Sequence, residues 1–324
     1  MDVRRVFGMV IGLAVCLLAA CAGVEKKPGL IEYVAARTAP GIELKLMTFN
    51  IRYGTADDGP DSWKFRREFV ADVMRAGDYD VIGMQEALAD QIDYLKTQLP
   101  GYASVGVGRD DGAAKGEFSP ILYREGKFTL AASGTFWFSE TPEQPGSKAW
   151  KANLPRICSW ARLVEKASGR AFSVFNLHLD HESAYARERS VELLAAKVRE
   201  ISGEGPVVVM GDFNTGEESQ PVRYLKGAAR RATPSEAETA AKREVPEPLG
   251  VIDSFRVVYP DDTDVGTFHA FKGGTDGQKI DYILVPPGTI VNSAAIIHAS
   301  RDGHYPSDHF AVTASVRLTV SGKP

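Results

Sequence analysis

The chain has 324 residues, of which 44% are hydrophobic and 25% are charged, and its formal net charge is −4. These values are typical of a globular protein that holds one large domain or two ordinary ones. The balanced charge argues against broad electrostatic binding to duplex nucleic acid, because basic patches normally supply that affinity.

Residues 1–20 predict a lipoprotein signal peptide. Arg4 and Arg5 precede an apolar run that is too short to span a membrane comfortably. The run ends in Leu-Ala-Ala-Cys21, which resembles a bacterial lipobox and implies cleavage before Cys21 and lipidation of its thiol. The alternative is an ordinary secretory signal with an incidental cysteine. No aspartate follows Cys21, which favours the outer membrane of a Gram-negative cell envelope, with the lipid anchor as the only membrane contact.

The rest of the chain predicts one tethered domain. Residues 21–42 read as the lipidated cysteine and a tether, and 43–320 as the domain. Residues 228–248 are rich in Ala, Glu, Lys and Arg and predict a solvated insertion. Once the signal peptide is removed and Cys21 is acylated, Cys158 has no partner for a disulfide. Stability must therefore come from a packed core.

Apolar periodicity, β-branched content and turn residues predict the elements in order. The predicted strands are Leu44–Ile51, Asp80–Glu86, Tyr102–Val107, Ser119–Tyr123, Phe128–Leu130, Cys158–Val164, Ala171–Leu179, Val207–Met210, Val251–Val258, Lys279–Val285, Ile290–His298 and His309–Val320. The predicted helices are Trp63–Ala76, Leu88–Leu99, Ala184–Ile201 and Ser219–Lys226. This order predicts an α/β (α+β) protein with sheets packed face to face and helices outside.

The first predicted helix carries both apolar and substrate-side candidates. Its buried face is predicted from helical spacing to contain Phe65, Phe69, Val73 and Met74. Asp57, Asp58, Trp63 and Arg66 are candidates for one wall of a substrate site. Trp63 is predicted either to stack on a substrate ring or to pack in the core.

Polar side chains stand at or just beyond the ends of several short apolar strands. They are Asn50, Glu86, His178, Asp212, Asn214, Asp281, Asp308 and His309. Residues from strands far apart in sequence meet where those strands end on a common rim. Separated carboxylates with a nearby amide oxygen suit Mg²⁺ or Mn²⁺, and zinc is less expected because no cysteine cluster or His-x-x-x-His spacing occurs.

Each of these residues also has a structural interpretation. Asn50 could cap a turn, and Asp281 could pair with Lys279. Asp212 and Asn214 follow a strand predicted to be buried on both faces, but Gly, Asp and Asn are also common turn residues. The chemical interpretation depends on whether the strand ends converge.

Six motifs occur in order along the chain: Met47-Thr-Phe-Asn-Ile-Arg52, Met84-Gln-Glu86, Asn176-Leu-His178, Gly211-Asp-Phe-Asn214, Lys279-Ile-Asp-Tyr282 and Ser307-Asp-His309. They resemble the endonuclease/exonuclease/phosphatase superfamily of deoxyribonuclease I-like proteins over residues 44–318. The resemblance implies a four-layer αββα sandwich of two packed mixed sheets flanked by helices. Three further segments look like a secreted bacterial lipoprotein branch nearest nocturnin and the deadenylases: Gly116–Tyr123, Leu154–Cys158 and His178–His181 followed by Arg187.

The resemblance also implies a role for each site residue. Glu86 is the main metal ligand, and Asn50 and Asp308 complete the Mg²⁺ (or Mn²⁺) site directly or through water. Asp212 and Asn214 position or deprotonate the attacking water. The phosphoryl oxygens are held by His178 and by His309, which Asp281 orients. Whether Asp212 or the Asp281–His309 pair is the base, and whether one or two metals bind, stays open.

Three more residues are candidates for substrate or phosphate binding. Arg156 matches a family position that contacts phosphate. Arg187 starts a helix and is expected beside the end of the preceding strand, near His178. His269 occupies a position where similar proteins place a substrate-side residue.

The sequence therefore predicts an exported metal-dependent phosphoesterase that hydrolyses a phosphodiester or phosphomonoester by in-line attack of water. No extended basic strip is present, so the expected partner is a phosphorylated small molecule or a short single-stranded nucleic acid, and we expect a monomer. The alternatives are a nuclease acting on single strands and a binding lipoprotein that keeps the fold without catalysis. We expect His309→Ala to cost about 3–5 kcal/mol of transition-state stabilisation with little change in thermal stability.

Overall fold

The computed structural model describes residues 40–228 and 245–319. The predicted signal peptide, Cys21 and all but the end of the tether lie outside these residues, as do residues 229–244 of the predicted insertion. Within the described parts of the chain, no helix combines the length and the apolar character needed to cross a bilayer.

The first sheet has six strands: Gly41–Asn50 (β1), Val81–Gln85 (β2), Tyr102–Val105 (β3), Ile121–Arg124 (β4), Ile290–Ile297 (β11) and Ala311–Thr319 (β12). Their order in the sheet is β11-β12-β1-β2-β4-β3. The central pair β1 and β2 is parallel, with Asn50 opposite Gln85. Both strands therefore end at the same edge of the sheet.

The second sheet also has six strands: Phe128–Trp137 (β5), Ile157–Glu165 (β6), Ala171–His178 (β7), Val207–Asp212 (β8), Ile252–Asp253 (β9) and Asp281–Val285 (β10). Their order is β5-β6-β7-β8-β10-β9. Here the parallel pair is β7 and β8, with His178 opposite Asp212. The antiparallel neighbour β10 begins with Asp281 opposite the same Asp212. Three functional candidates thus meet through backbone register alone.

Within the described residues, four helices cover the outer faces of the sheets, and a fifth, the last in chain order, packs against the core between them. They span Trp63–Ala76 (α1), Ala89–Gln98 (α2), Ala184–Ser202 (α3), Gln220–Leu225 (α4) and Ser254–Val258 (α5). One core lies between the sheets, a second joins the first sheet to α1 and α2, and a third joins the second sheet to α3 and α4. The predicted sandwich of two mixed sheets flanked by helices is confirmed.

The predicted strand Val251–Val258 is wrong beyond its first residues. Strand β9 has only two residues, and α5 follows directly. Asp253 explains the switch, because its side chain accepts a hydrogen bond from the Phe255 amide at 3.0 Å and caps the helix. Local capping here overrides the β-branched composition.

Two smaller differences concern strand length and the helical face. Strand β5 continues past Leu130 to Trp137, because it pairs with β6 along its full length across a bulge. On α1, Phe65 is 64% exposed, whereas Val73 and Met74 are buried as predicted. The neighbouring Arg66 is only 4% exposed and takes the buried position instead.

Candidate active site

A cavity of about 690 Å³ opens at the edge where β1, β2, β7 and β8 end. Its polar lining contains Arg52, Asp58, Glu86, Glu117, Arg156, His178, His181, Asp212, Asn214, Asp308 and His309. Its apolar lining contains Leu154, Phe268, Phe271 and Ile280, with Tyr53 at the side. Convergent polar groups in one concave cavity are typical of a binding or active site.

The first sheet supplies the two carboxylates predicted to bind metal, Glu86 just after β2 and Asp308 just before β12. Asn50, at the end of β1, contacts Glu86 and also Asp212 of the second sheet. Asn50 Nδ2 donates to Glu86 Oε1 at 3.1 Å and to Asp212 Oδ2 at 3.0 Å. Asn50 Oδ1 accepts from the Arg52 amide at 3.0 Å, so the amide nitrogen faces the carboxylates. In this arrangement Asn50 orients Glu86 and Asp212, and its predicted role as a direct ligand stays a prediction.

Several residues around the cavity adopt the left-handed backbone region. The φ angles are 57° at Arg52, 60° at Glu86 and 49° at Asn214. Such backbone strain outside glycine costs free energy and persists where surrounding contacts over-determine it, which is common at functional sites. Each strained residue directly follows, or lies within two residues of, a strand end.

Asp212 lies at the centre of the site. It is 1% exposed; its Oδ1 accepts from the Asn214 amide at 2.8 Å, and its Oδ2 lies 3.5 Å from His178 Nε2 and 3.8 Å from His309 Nε2. Burial, together with the nearby charge of Asp281, raises the pKa of Asp212 to about 7. A carboxyl group with that pKa can accept a proton near neutral pH.

His309 and Asp281 form a buried hydrogen-bonded pair. His309 Nδ1 donates to Asp281 Oδ2 across 2.9 Å. Burial alone lowers the pKa of His309, but the charge and hydrogen bond of Asp281 outweigh it and raise the pKa to about 10. His309 is therefore a cation at neutral pH. Lys279 pairs instead with Asp253 at 2.7 Å, which excludes the alternative Asp281–Lys279 pair.

His178 differs from His309 in charge. Burial, then the charges of Arg156 and Arg109, hold the pKa of His178 well below its usual range, so its ring is neutral. Arg156 Nη1 lies 3.1 Å from His178 Nε2, and because an arginine can only donate, Nε2 is the acceptor and Nδ1 carries the proton. That proton is on the side of Glu117, whose Oε2 lies 3.9 Å from Nδ1.

Asp212, Asp281 and His309 also form a group that could hold a metal ion, since one ligand atom from each lies within 4.8 Å of the others. The bond between His309 Nδ1 and Asp281 already occupies two of these side chains. Asp308 lies on the cavity side, and burial and the nearby charge of Glu86 both raise its pKa. Glu86 and Asp308 therefore fit a divalent cation, which would relieve the repulsion between their charges.

Two predicted substrate residues lie away from the cavity lining. Arg187 Nη1 donates to the Asp180 carbonyl at 2.8 Å, so it binds the chain just after β7. The His269 ring stacks on Phe310 with centroids 3.9 Å apart, and its Nδ1 accepts from the Gly273 amide. The roles given to Arg187 and His269 in substrate binding stay predictions.

The cavity also contains residues that sequence reasoning did not assign. Glu117 is held by Arg109 at 2.7 Å and faces His178. Arg52 pairs with Asp58 at 3.0 Å, and Phe268 lies 47% exposed with its ring 5.1 Å from that of His309. Two of these residues could have been found from their place in the sequence, because Arg52 ends the first motif and Phe268 immediately precedes the candidate His269.

Comparison with known proteins identifies this arrangement. The family described as Endonuclease/Exonuclease/phosphatase matches residues 47–309, from within β1 to just before β12. The chain belongs to this family. The matched segment contains both histidine candidates, His178 and His309, and all four strand-end carboxylates, which are Glu86, Asp212, Asp281 and Asp308.

Solved structures share the fold across most of the chain. A family member from Bacteroides vulgatus is 34% identical, covers 86% of this chain and 99% of its own, and superposes with a TM-score of 0.71. A mannosyl-6-phosphatase from Bacteroides thetaiotaomicron is 33% identical, covers 84% and 99% of the two chains, and has a TM-score of 0.70. The human nocturnin catalytic domain is 17% identical, covers 88% and 98%, and has a TM-score of 0.64, which shows the shared fold.

Proposed function

We propose that this chain is an exported, metal-dependent phosphoesterase that hydrolyses a small phosphorylated molecule. The observation that carries the proposal is the convergence of both sheets on one cavity. The first sheet brings Glu86 there and the loop before β12 brings Asp308, while the second sheet brings His178 and Asp212. This set combines a cation site, an anion-binding wall and a proton acceptor.

The protein's own residues divide the chemical work between them. Cationic His309 donates a hydrogen bond from Nε2 to a phosphoryl oxygen, where negative charge develops during attack. Arg156, 4% exposed beside neutral His178, adds a second positive group. Asp212, with its pKa near 7, takes the proton of the attacking water and is held in place by Asn50 and Asn214.

Glu86 and Asp308 would hold the metal, which we propose to be Mg²⁺ or Mn²⁺. Both are hard cations that prefer the carboxylate oxygens present here. When bound, such a cation offsets the charge that accumulates on the phosphoryl group. Asn50 supports this site by fixing the Glu86 carboxylate.

We propose a phosphorylated sugar as the first substrate class to test. The mannosyl-6-phosphatase from Bacteroides thetaiotaomicron is 33% identical over nearly its whole length. The cavity of about 690 Å³ has the size of a small-molecule site and offers an apolar wall beside its charged floor. A short single-stranded nucleic acid is the second candidate substrate, because the family joins nucleases to phosphatases.

The proposed substrate class can be tested with purified residues 22–324. Hexose phosphates, nucleoside monophosphates, bis-p-nitrophenyl phosphate and short oligonucleotides are assayed with Mg²⁺, with Mn²⁺ and with EDTA. We expect metal-dependent release of phosphate from the sugar phosphates, and a loss of at least about 100-fold in Glu86→Gln. Exposed Glu68 on α1 supplies the matched control, Glu68→Gln.

The outcomes separate the candidates. Preferential cleavage of oligonucleotides would favour the nuclease, and binding without turnover would favour the non-catalytic lipoprotein. Metal-independent turnover, or full activity in Glu86→Gln, would contradict the proposed mechanism.

Export and lipid anchoring are part of the proposal and rest on residues 1–21. In a Gram-negative host, we expect the full chain in the outer-membrane fraction and Cys21→Ala in the soluble fraction of the cell envelope. Identical fractionation of the two proteins would contradict the anchor.

A further inference from the structure

The guanidinium group of Arg66 is buried behind the cavity and binds only backbone carbonyls. Nε donates to the carbonyl of Asp61 at 2.8 Å, and Nη2 to that of Arg52 at 3.0 Å. Nη1 donates to the carbonyls of Ile51 at 2.6 Å and Pro306 at 3.0 Å. No carboxylate forms a salt bridge with it within residues 40–228 and 245–319, so these dipoles are its direct partners, while the more distant charges of Asp308, Asp58 and Glu86 also favour the cation.

Two of these bonds fix the turn that follows β1. Arg52, at a φ of 57°, is the strained residue of this turn. Its carbonyl accepts from Arg66 and also from Gln91 Nε2 at 3.0 Å. With its carbonyl held on two sides, the peptide cannot relax to an extended conformation without losing both bonds.

The amides of this same turn orient the residues around the metal site. The Arg52 amide donates to Asn50 Oδ1 at 3.0 Å, and the Tyr53 amide donates to Glu86 Oε2 at 3.2 Å. Asn50 in turn donates to Glu86 Oε1. Both oxygens of Glu86 are therefore held by groups whose positions depend on the turn that Arg66 fixes.

The fourth carbonyl connects Arg66 to the other carboxylate of the site. Pro306 is followed by Ser307, whose hydroxyl donates to the Asn50 carbonyl at 2.7 Å, and then by Asp308. Arg66 thus bridges the loop after β1 and the loop before β12, and its partner Pro306 in the second loop is 240 residues away in sequence. Its guanidinium also lies over the rings of Trp63 and Phe271, at 5.3 and 5.6 Å from their centroids, which limits its movement.

We propose that Arg66 is a positioning residue that sets the affinity of the Glu86–Asp308 site for divalent cations by holding its two loops in register. This inference rests on the proposed function, because it requires that the site binds a metal. Groups that orient metal ligands without touching the metal typically change metal affinity by about 10- to 100-fold when they are removed.

The test measures Mn²⁺ binding by titration calorimetry, without substrate. The proteins are wild type, Arg66→Met, Arg66→Lys, Gln91→Leu and Glu86→Gln, each titrated at a temperature where its thermal unfolding curve in EDTA shows a folded protein. Arg67→Met is the matched control, since Arg67 is the exposed neighbour on α1 and lies over the Tyr94 ring.

We expect Arg66→Met to bind Mn²⁺ about 10- to 100-fold more weakly than wild type and Arg67→Met to bind like wild type. Arg66→Lys should be intermediate, because it keeps the charge but has fewer donors. If Arg66→Met does not fold, Arg66→Lys and Gln91→Leu carry the test, since both loosen the Arg52 carbonyl.

Two contrary results are distinguishable. Wild-type affinity in folded Arg66 variants and in Gln91→Leu, with weakened binding in Glu86→Gln, would overturn the role of Arg66 and leave the proposed metal site intact. Absence of Mn²⁺ binding by wild type, or equal binding by Glu86→Gln, would overturn the proposed site and the inference together. A purely structural Arg66 would lower thermal stability and leave the Mn²⁺ affinity unchanged.

Discussion

His309 combines a chemical role with a structural one. Its side chain is buried against Phe268 and bonded to buried Asp281. Removing it leaves the Asp281 carboxylate in the interior without its partner, and breaking a buried pair in this way is strongly destabilising. The expectation from sequence that stability would hardly change therefore does not suit this environment.

We expect His309→Ala to lose about 3–5 kcal/mol of transition-state stabilisation and also about 3 kcal/mol of unfolding free energy. Phosphatase kinetics and urea denaturation measure the two quantities separately. The double variant Asp281→Asn with His309→Ala should recover part of the stability and none of the activity. Unchanged stability in the single variant would show that Asp281 finds another partner.

His269 makes stability depend on pH. Burial, and then the charge of His309, lower the pKa of His269 from 6.5 to about 4. Between pH 6.5 and about pH 4, His269 is protonated in the unfolded chain but stays neutral in the native protein. The contribution of neutral His269 to the free energy of unfolding is therefore fully present above about pH 6.5 and is lost as the pH falls towards about 4.

We expect a fall in pH from 6.5 to about 4 to lower the free energy of unfolding by about 1–3 kcal/mol more in wild type than in His269→Gln. The measurement is urea unfolding at several pH values in EDTA, so that metal binding does not contribute. His304→Gln is the control, because His304 is an exposed histidine near the same loop. Parallel pH profiles for wild type and His269→Gln would contradict the assignment.

At the scale of single elements, a buried ion pair joins the end of β9, where α5 begins, to the segment just before β10. Lys279, fully buried, contacts Asp253 Oδ2 at 2.7 Å and lies over the Tyr282 ring at 3.5 Å. Asp253 Oδ1 meanwhile caps α5. The Asp253 carboxylate thus ends β9, caps α5 and compensates the charge of Lys279, which lies just before β10.

This double role predicts graded effects for two substitutions. Asp253→Asn keeps a capping oxygen but removes the nearer carboxylate of Lys279 and leaves Glu217 Oε1 at 3.9 Å, which should cost about 3 kcal/mol. Asp253→Ala loses the cap as well and should cost about 1 kcal/mol more. Thermal or urea unfolding measures both, and equal destabilisation by the two variants would mean that the cap contributes nothing.

At the scale of the whole molecule, the active site is shared between two sheets, so their alignment is a functional property. Asn176 on β7 accepts from Gln85 Nε2 on β2 at 2.6 Å and donates to the carbonyls of Met84 and Pro120. Gly83 makes room for this contact, since a Cβ there would lie 2.7 Å from Asn176 Oδ1. The bridge lies one residue from Glu86 and two from His178.

We expect Asn176→Ala to cost about 3 kcal/mol of stability, because buried partners lose their hydrogen bonds. The kcat should fall by more than the loss of folded protein explains, because the bridge aligns the two halves of the site. Asn292→Ala, on the exposed edge strand β11, is the control and should change stability by less than about 0.5 kcal/mol. Full kcat in folded Asn176→Ala would show that the sheets align without this bridge.

The sequence by itself determined the sandwich, most of its elements and the residues at the strand ends. Periodic apolar runs and ordered motifs are local properties, and parallel neighbours such as β1 and β2 necessarily end at one edge. The sequence predicted a strand at Val251–Val258, but the side-chain cap from Asp253 starts a helix there despite the β-branched composition.

Only the tertiary structure decided how the site residues differ from one another. Burial and then the charge of Arg156 keep His178 neutral, whereas Asp281 keeps the equally buried His309 cationic. Arg66 was predicted to line a substrate wall, yet it binds four carbonyls behind the cavity. Charge state and orientation depend on burial and on partners up to 240 residues away in sequence, and such contacts exist only once the two sheets have packed.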